Sequence, residues 1–277
     1  MKNVDYIVVG CGLAGIAMLE VLKANKKSFI IFDNASQQSS LVAAGLYNPV
    51  VLKRFTKVWK AQEQLNSALP VYKKIEDTLD VKVDYQHPIY RRFNSVEEQN
   101  MWFTAADKPS LEPFLSTTIV KNDNPYVDAE LGLGEVYRTG HLDTKHLITA
   151  YKSNLRYNSN LIEETFDYSA LEIHSDYTIY NGLRTKAIIF AEGFGVKNNP
   201  FFSDIPLTGT KGEVLTIKAP ALQLKEAIKS SVFIIPIGDN YYRVGATYEW
   251  TDKTNTPTEQ AKSELISTNA SALVCHV

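Results

Sequence analysis

Gly10-Cys11-Gly12-Leu13-Ala14-Gly15 is a run of small residues that can hold a pyrophosphate, provided the flanking chain supplies a strand before it and a helix after it. Gly10 permits a tight turn, and Gly12 lets the backbone approach the phosphates with no side chain in the way. Gly15 lets a helix pack closely on the strand. Leu13 and Ala14 belong to the turn that leads into the N-terminus of that helix, where free N–H groups and the dipole favour an anion. The flanks have the required character. Tyr6-Ile7-Val8-Val9 is an apolar run without alternation, as expected of a parallel strand buried on both faces. Ile16 to Lys23 is helical in composition, and Ser28-Phe29-Ile30-Ile31-Phe32 reads as a second strand. Asp33 at its carboxyl end, followed by Asn34, is placed to accept hydrogen bonds from an adenosine ribose. A 2′-phosphate would be repelled there, and Asn34-Ala35 offers no arginine to offset it, which argues against NADP. Strand, turn, helix, strand and acid in this order read as a dinucleotide-binding unit. The turn itself does not separate FAD from NAD.

The next segment bears on that choice. An NAD unit would usually proceed to another helix and strand, whereas Ser39-Ser40-Leu41-Val42-Ala43-Ala44-Gly45-Leu46-Tyr47-Asn48-Pro49-Val50 is irregular. Leu41 to Ala44 is too apolar for a solvated linker and suits a path beside a large planar ligand. With the glycine turn and Asp33, this segment resembles the D-amino-acid oxidase-like family of FAD-dependent oxidoreductases, in particular its glycine oxidase branch and the oxidase domain of the bifunctional enzyme that modifies tRNA wobble uridine. The resemblance implies FAD as cofactor, with Ser39, Ser40, Ala43, Ala44 and Gly45 as further contacts. Thr185 to Gly195 resembles the family's later strand and glycine turn covering the adenosine, which implies contacts at Ala191 and Gly193. Glu192 departs from the small residue usual there. Asn160 to Phe166 resembles the short strand that borders the adenine.

The elements that must position these residues follow from pattern. Lys57–Leu79 reads as helix interrupted by Pro70, and Val83–Gln86 and Ile89–Phe93 read as strands. Ser95-Val96-Glu97-Glu98 is a capping box opening a helix to about Asp107, and Asp143 is placed to cap Thr144–Leu155. Lys211–Ile217 alternates as a strand, and Val232–Ile237 and Tyr241–Thr247 flank Gly238-Asp239-Asn240 as a hairpin. The expected fold class is α/β, a Rossmann-like FAD-binding domain over 1–82 and 141–206. A mixed-sheet α+β substrate domain takes 83–140 and 207–277. The strand Tyr241-Tyr242-Arg243 resembles one facing the flavin in relatives, which makes Arg243 the candidate anchor for a substrate carboxylate and Tyr242 a neighbouring candidate. Beyond these, no catalytic residue is identified.

Composition excludes several classes. The 277 residues carry 29 Lys+Arg against 31 Asp+Glu, so no global charge draws the chain to nucleic acid or anionic membrane. Arg91-Arg92, beside Tyr90 and Phe93, reads as a solvated strand edge. The five histidines show no metal-ligand spacing, and no metal is expected. Val8-Val9-Gly10-Cys11 looks like a lipoprotein cleavage box, yet Lys2 offset by Asp5 makes a weak leader, and Glu20 and Lys23 interrupt the apolar run. Two cysteines, Cys11 and Cys275, make no disulfide framework, so a cytoplasmic setting is expected. The expected partner is a small-molecule amine, a tRNA-linked amine included. Relatives of this family continue past the helix beginning near Pro257 into a tail that borders the flavin. The chain stops at Val277, so an alternative reading is a shortened relative that binds FAD without catalysis. An NAD-dependent dehydrogenase is a third.

Overall fold

The structure is a computed structural model that describes residues 1–270; Cys275 and His276 lie outside the described residues. Two compact units divide the chain. The first comprises 1–43, 71–83 and 144–209, and the second 44–70, 84–143 and 210 onward. Residues 44–70, expected with the first domain, group with the second unit, because Val50, Leu52 and Phe55 are buried in its core.

In the first unit the apolar run forms β1 (Lys2–Val9), the small-residue turn opens α1 (Leu13–Ala24), and Phe29–Phe32 forms β2. The sheet has six strands, in the order Leu161–Ile162, β2, β1, Leu183–Phe190, Thr178–Tyr180 and Leu171–Ile173. The first four run parallel, and the last two fold back as an antiparallel meander. Register aligns the carboxyl ends: Val9 lies opposite both Phe32 and Phe190, and Phe32 opposite Ile162. Ligands in open α/β sheets bind outside such an edge. All four residues of β2 are buried, which explains its lack of alternation. Phe32, Phe166 and Tyr180 pack together, with Phe166 and Tyr180 stacked at 4.1 Å. The Thr144–Tyr157 helix buries Leu147, Ile148, Tyr151 and Leu155, spaced to form one face.

The second unit is built on seven strands in the order Val214–Lys218, Tyr241–Gly245, Phe233–Pro236, Ala227–Lys229, Ile89–Arg92, Leu133–Val136 and Leu115–Val120. Only the pair Ala227–Lys229 with Ile89–Arg92 is parallel. Alternation serves two cores. Ala227 and Ile235 pack with Ile89, Val136 and Trp102, whereas Ile228 and Ile234 pack with Tyr242, Val244 and Leu265. The hairpin forms as expected, with Gly238, Asp239 and Asn240 all at positive φ. A three-stranded sheet pairs Gly140–Leu142 with Leu46–Tyr47 and Asp84–Gln86.

Several boundaries move. The helix expected from Lys57 begins at Ala61, because Thr56–Lys57 pairs as a short strand with Val50–Val51. The strand expected from Lys211 begins at Val214; Lys211 instead bridges to Glu249 and ion-pairs with Asp252 and Glu213. Ser95 caps the Val96–Ala106 helix, its hydroxyl accepting Glu98 N–H at 3.1 Å. Glu98 does not close the box. Its carboxylate accepts Asn94 N–H and pairs with Arg91. Arg91 and Arg92 are therefore not a solvated edge: their strand is interior to the sheet, and Arg92 pairs with Asp128. Among the described residues no helix is long and apolar enough to cross a membrane.

Candidate functional site

At the level carboxyl edge of the first unit's sheet lies a cavity of about 320 Å³. The glycine turn forms one wall because the ladder continues into it. Gly10 N–H donates to Phe32 O at 2.8 Å, and Ala191 N–H donates to Val9 O at 2.7 Å. Gly10 sits at φ +99°, and a Cβ there would stand 2.4 Å from Ala191 O, so only glycine fits. The first ladder bond of α1 runs from Ile16 N–H to Gly12 O at 3.0 Å, and Gly12 brings no side chain to cap the helix. The N–H groups of Leu13 to Gly15 precede that ladder. Leu13 N–H makes only a long 3.5 Å contact with Ser40 Oγ. This is a cradle for an oxyanion.

Asp33 follows directly on β2 and reaches across to the turn: its Oδ1 accepts Cys11 N–H at 3.0 Å. Its Oδ2 takes the ammonium of Lys152, which comes from the Thr144–Tyr157 helix, and a longer bond from Ala35 N–H at 3.3 Å. Cys11 is buried, and burial first, then the Asp33 charge, pushes its thiol up to about 12. It is a neutral, packed thiol at ordinary pH.

The opposite wall comes from Glu164 to Phe166, Tyr168, and the segment after the Leu183–Phe190 strand. Asn34 Nδ2 donates to Thr165 Oγ1 at 3.2 Å. Glu192 is held by Tyr168 Oη and by Asn199 Nδ2, the latter at 2.7 Å. Burial and then the bond to Glu192 raise the Tyr168 phenol well above its ordinary range.

Of the residues singled out in sequence, Gly10, Gly12, Leu13, Ala14, Asp33, Asn34, Ser39, Ser40, Ala191 and Gly193 line the cavity. Gly15 stands behind the wall, where a Cβ would meet Gly10 O at 2.0 Å. Ala43, Ala44 and Gly45 do not line it. Gly45 serves the chain path instead: at φ +71° its carbonyl accepts Leu142 N–H at 3.0 Å, and a Cβ would stand 1.9 Å from Leu142 O. Glu164, Thr165 and Phe166, from the segment expected to border the adenine, line the cavity, whereas Lys152 and Tyr168 escaped sequence reasoning because they converge on it only through the fold. Lys152 also puts beside Asp33 a cation that the local Asn34-Ala35 sequence does not supply.

The second-unit candidates separate. Tyr242 is 2 % exposed and packs in the core with Ile234, Val244 and Leu265, so it is not a site residue. Arg243, next along the strand, faces the other way and is half-buried, between Thr216 and Ile235 in register. Its charge is felt by His141, whose ring hydrogen-bonds His87 at 2.8 Å and stacks on Tyr85. Burial first, then His87, lowers the His141 pKa to about 4.

A parallel sheet whose carboxyl edge carries a glycine turn and a facing acid, in a chain that also builds a large mixed sheet, has the architecture of a dinucleotide-cofactor oxidoreductase. The model of the FAD dependent oxidoreductase (DAO) family matches residues 5–274, and the chain belongs to that family. It is an FAD-dependent oxidoreductase, and its cofactor is FAD. Its fold is shared with glycine oxidase from Geobacillus kaustophilus, at TM-score 0.78 and 16% identity over 99% of this chain and 79% of that one. Glycine oxidase from Bacillus cereus ATCC 14579 matches at TM-score 0.78 and 18% identity, covering 98% and 80% of the two chains. L-proline dehydrogenase from P. horikoshii matches at 0.75 and 11%, covering 99% and 78%.

Proposed function

We propose that the protein oxidises the C–N bond of a small amino acid or a nucleoside-linked amine, with the first unit holding FAD and the second receiving the substrate. The observation that carries the cofactor half is the cavity at the sheet edge, where glycine backbone and Asp33 converge. The amine half is supported by the activities of proteins sharing the fold, glycine oxidase and L-proline dehydrogenase. In this reading Gly12, Leu13 and Ala14 bind the pyrophosphate through backbone N–H groups, Gly10 makes the tight turn that brings them to it, and Gly15 keeps α1 close to the sheet. Asp33 with Asn34 takes the ribose, and Ser39, Ser40, Ala191 and Gly193 close around the dinucleotide. Ala43, Ala44 and Gly45 position the chain that leaves this site.

Bound FAD supplies a two-electron acceptor for the hydride leaving the carbon beside nitrogen, and water then hydrolyses the resulting imine. The chain's part is to bind and orient. Arg243 anchors a substrate carboxylate, its guanidinium permanently charged and suited to that group. The cytoplasmic setting belongs to the same reading and rests on the sparse cysteines.

Purified protein, reconstituted with FAD if necessary, is to be mixed anaerobically with glycine, sarcosine, L-proline and an aminomethylated uridine. Bleaching of the flavin band by one of these is the expected result. Arg243→Met should then raise KM for a carboxylate-bearing substrate by about tenfold or more, an ionic hydrogen bond being lost. Flavin that no amine reduces would sink the amine reading and leave the FAD assignment standing.

A further inference from the structure

The Asp33 carboxylate is engaged before any ligand enters. Cys11 N–H occupies Oδ1, and Lys152 with Ala35 N–H occupies Oδ2. A carboxylate offers about four lone-pair sites, and a ribose diol brings two O–H donors. With three sites taken, Asp33 alone cannot accept both. A hydroxyl is also an acceptor, however, and an ammonium carries three donors. Lys152 uses one of these on Asp33 and sits one helical turn from Ile148, which lines the same cavity. Its side chain is 13% exposed, so it is fixed in the wall and not waving in solvent. Among the described residues lining the cavity it is the only cation, against Asp33, Glu164 and Glu192.

We infer that Lys152 is a ribose-reading residue: Asp33 and Lys152 work as one donor–acceptor pair, a ribose hydroxyl donating to the carboxylate while accepting from the ammonium. This rests on the cofactor reading above. The two charges neutralise each other, so the cavity meets a pyrophosphate with one fewer net negative charge than its three acids imply. The pair also fixes Asp33 in place, so the carboxylate needs no reorganisation when the nucleotide arrives.

Flavin-free protein and calorimetric titration with ADP, 2′-deoxy-ADP and 3′-deoxy-ADP test this without recourse to turnover. The wild type should bind ADP about tenfold tighter than at least one deoxy analogue, the equivalent of one charge-assisted hydrogen bond. Lys152→Met should weaken ADP about tenfold and abolish that preference. Lys152→Arg, which keeps the donors, should retain it and serves as the control should the methionine variant misfold. Loss of affinity with the preference intact would assign Lys152 a purely electrostatic effect and overturn the inference. Unchanged ADP affinity in Lys152→Met would overturn it too. A wild type that binds FAD but shows no preference for ADP over either analogue defeats the ribose pair alone. One that binds neither FAD nor ADP defeats the cofactor reading of the cavity as well.

Discussion

Gly12 and Gly15, three residues apart, meet different obstacles, and the difference predicts opposite phenotypes. A Cβ on Gly12 would come no closer than 3.2 Å to Ser40 Oγ, the end of a side chain that can rotate away. Gly12→Val should keep its thermal midpoint within a few degrees, yet lose FAD binding by about a hundredfold or more, because its methyl groups project toward the phosphates. At Gly15 the obstacle is the Gly10 carbonyl, backbone that cannot rotate. Gly15→Ala should cost about 1–3 kcal/mol of unfolding free energy, read from its denaturation midpoint. If both variants lose stability equally, the assignment of the two glycines is wrong. A second prediction concerns His141. Its folded pKa is depressed to about 4, below the ordinary 6.5, so between these values the unfolded chain binds a proton that the folded chain does not. Stability contributed by the neutral ring is present above about pH 6.5 and lost as the pH falls toward 4. His141→Asn should flatten the stability profile across that window, and an unchanged slope would refute the assignment.

At the scale of elements, the parts legible in sequence are those specified by neighbours in sequence. β1, the turn, α1 and β2 fall where the apolar runs and glycines place them, since burial on both faces of a parallel strand is written in its own residues. The hairpin at Gly238–Asn240 is equally local. What pattern reading missed depends on residues far along the chain. Gly45 is required by Leu142 O, Asp33 is met by Lys152 from a helix beyond 140, and His87 pairs with His141, 54 residues away. Tyr242 and Arg243 are adjacent in sequence but on opposite faces, so only one remains a candidate; which face is core depends on the neighbouring strands. The Ser95 box is half legible, because Arg91 and Asn94 compete successfully for Glu98. Ser95→Ala should therefore remove one cap bond only, costing about 1 kcal/mol in urea denaturation with an unchanged m-value.

At the scale of the whole molecule, the candidate cofactor cavity is lined entirely by the first unit, whereas Trp59, Trp102 and Trp250 all belong to the second. Tryptophan fluorescence therefore reports on the unit that does not line the cavity. The chain passes between the units five times, at 43/44, 70/71, 83/84, 143/144 and 209/210, and the Ala61–Leu79 helix carries residues of both. Melting either unit alone would fray that helix and leave several chain passages tethered to an unfolded partner. We expect one cooperative transition in which far-UV circular dichroism and tryptophan fluorescence coincide. A ligand that binds only the folded state at a hundred times its Kd adds about 2.7 kcal/mol. For a chain of this size that raises the midpoint by several degrees. Saturating FAD should shift both signals by the same amount, although no tryptophan lies at the cavity, and Gly12→Val should abolish the shift in both. A fluorescence midpoint indifferent to FAD while the dichroism moves would show that the units unfold separately.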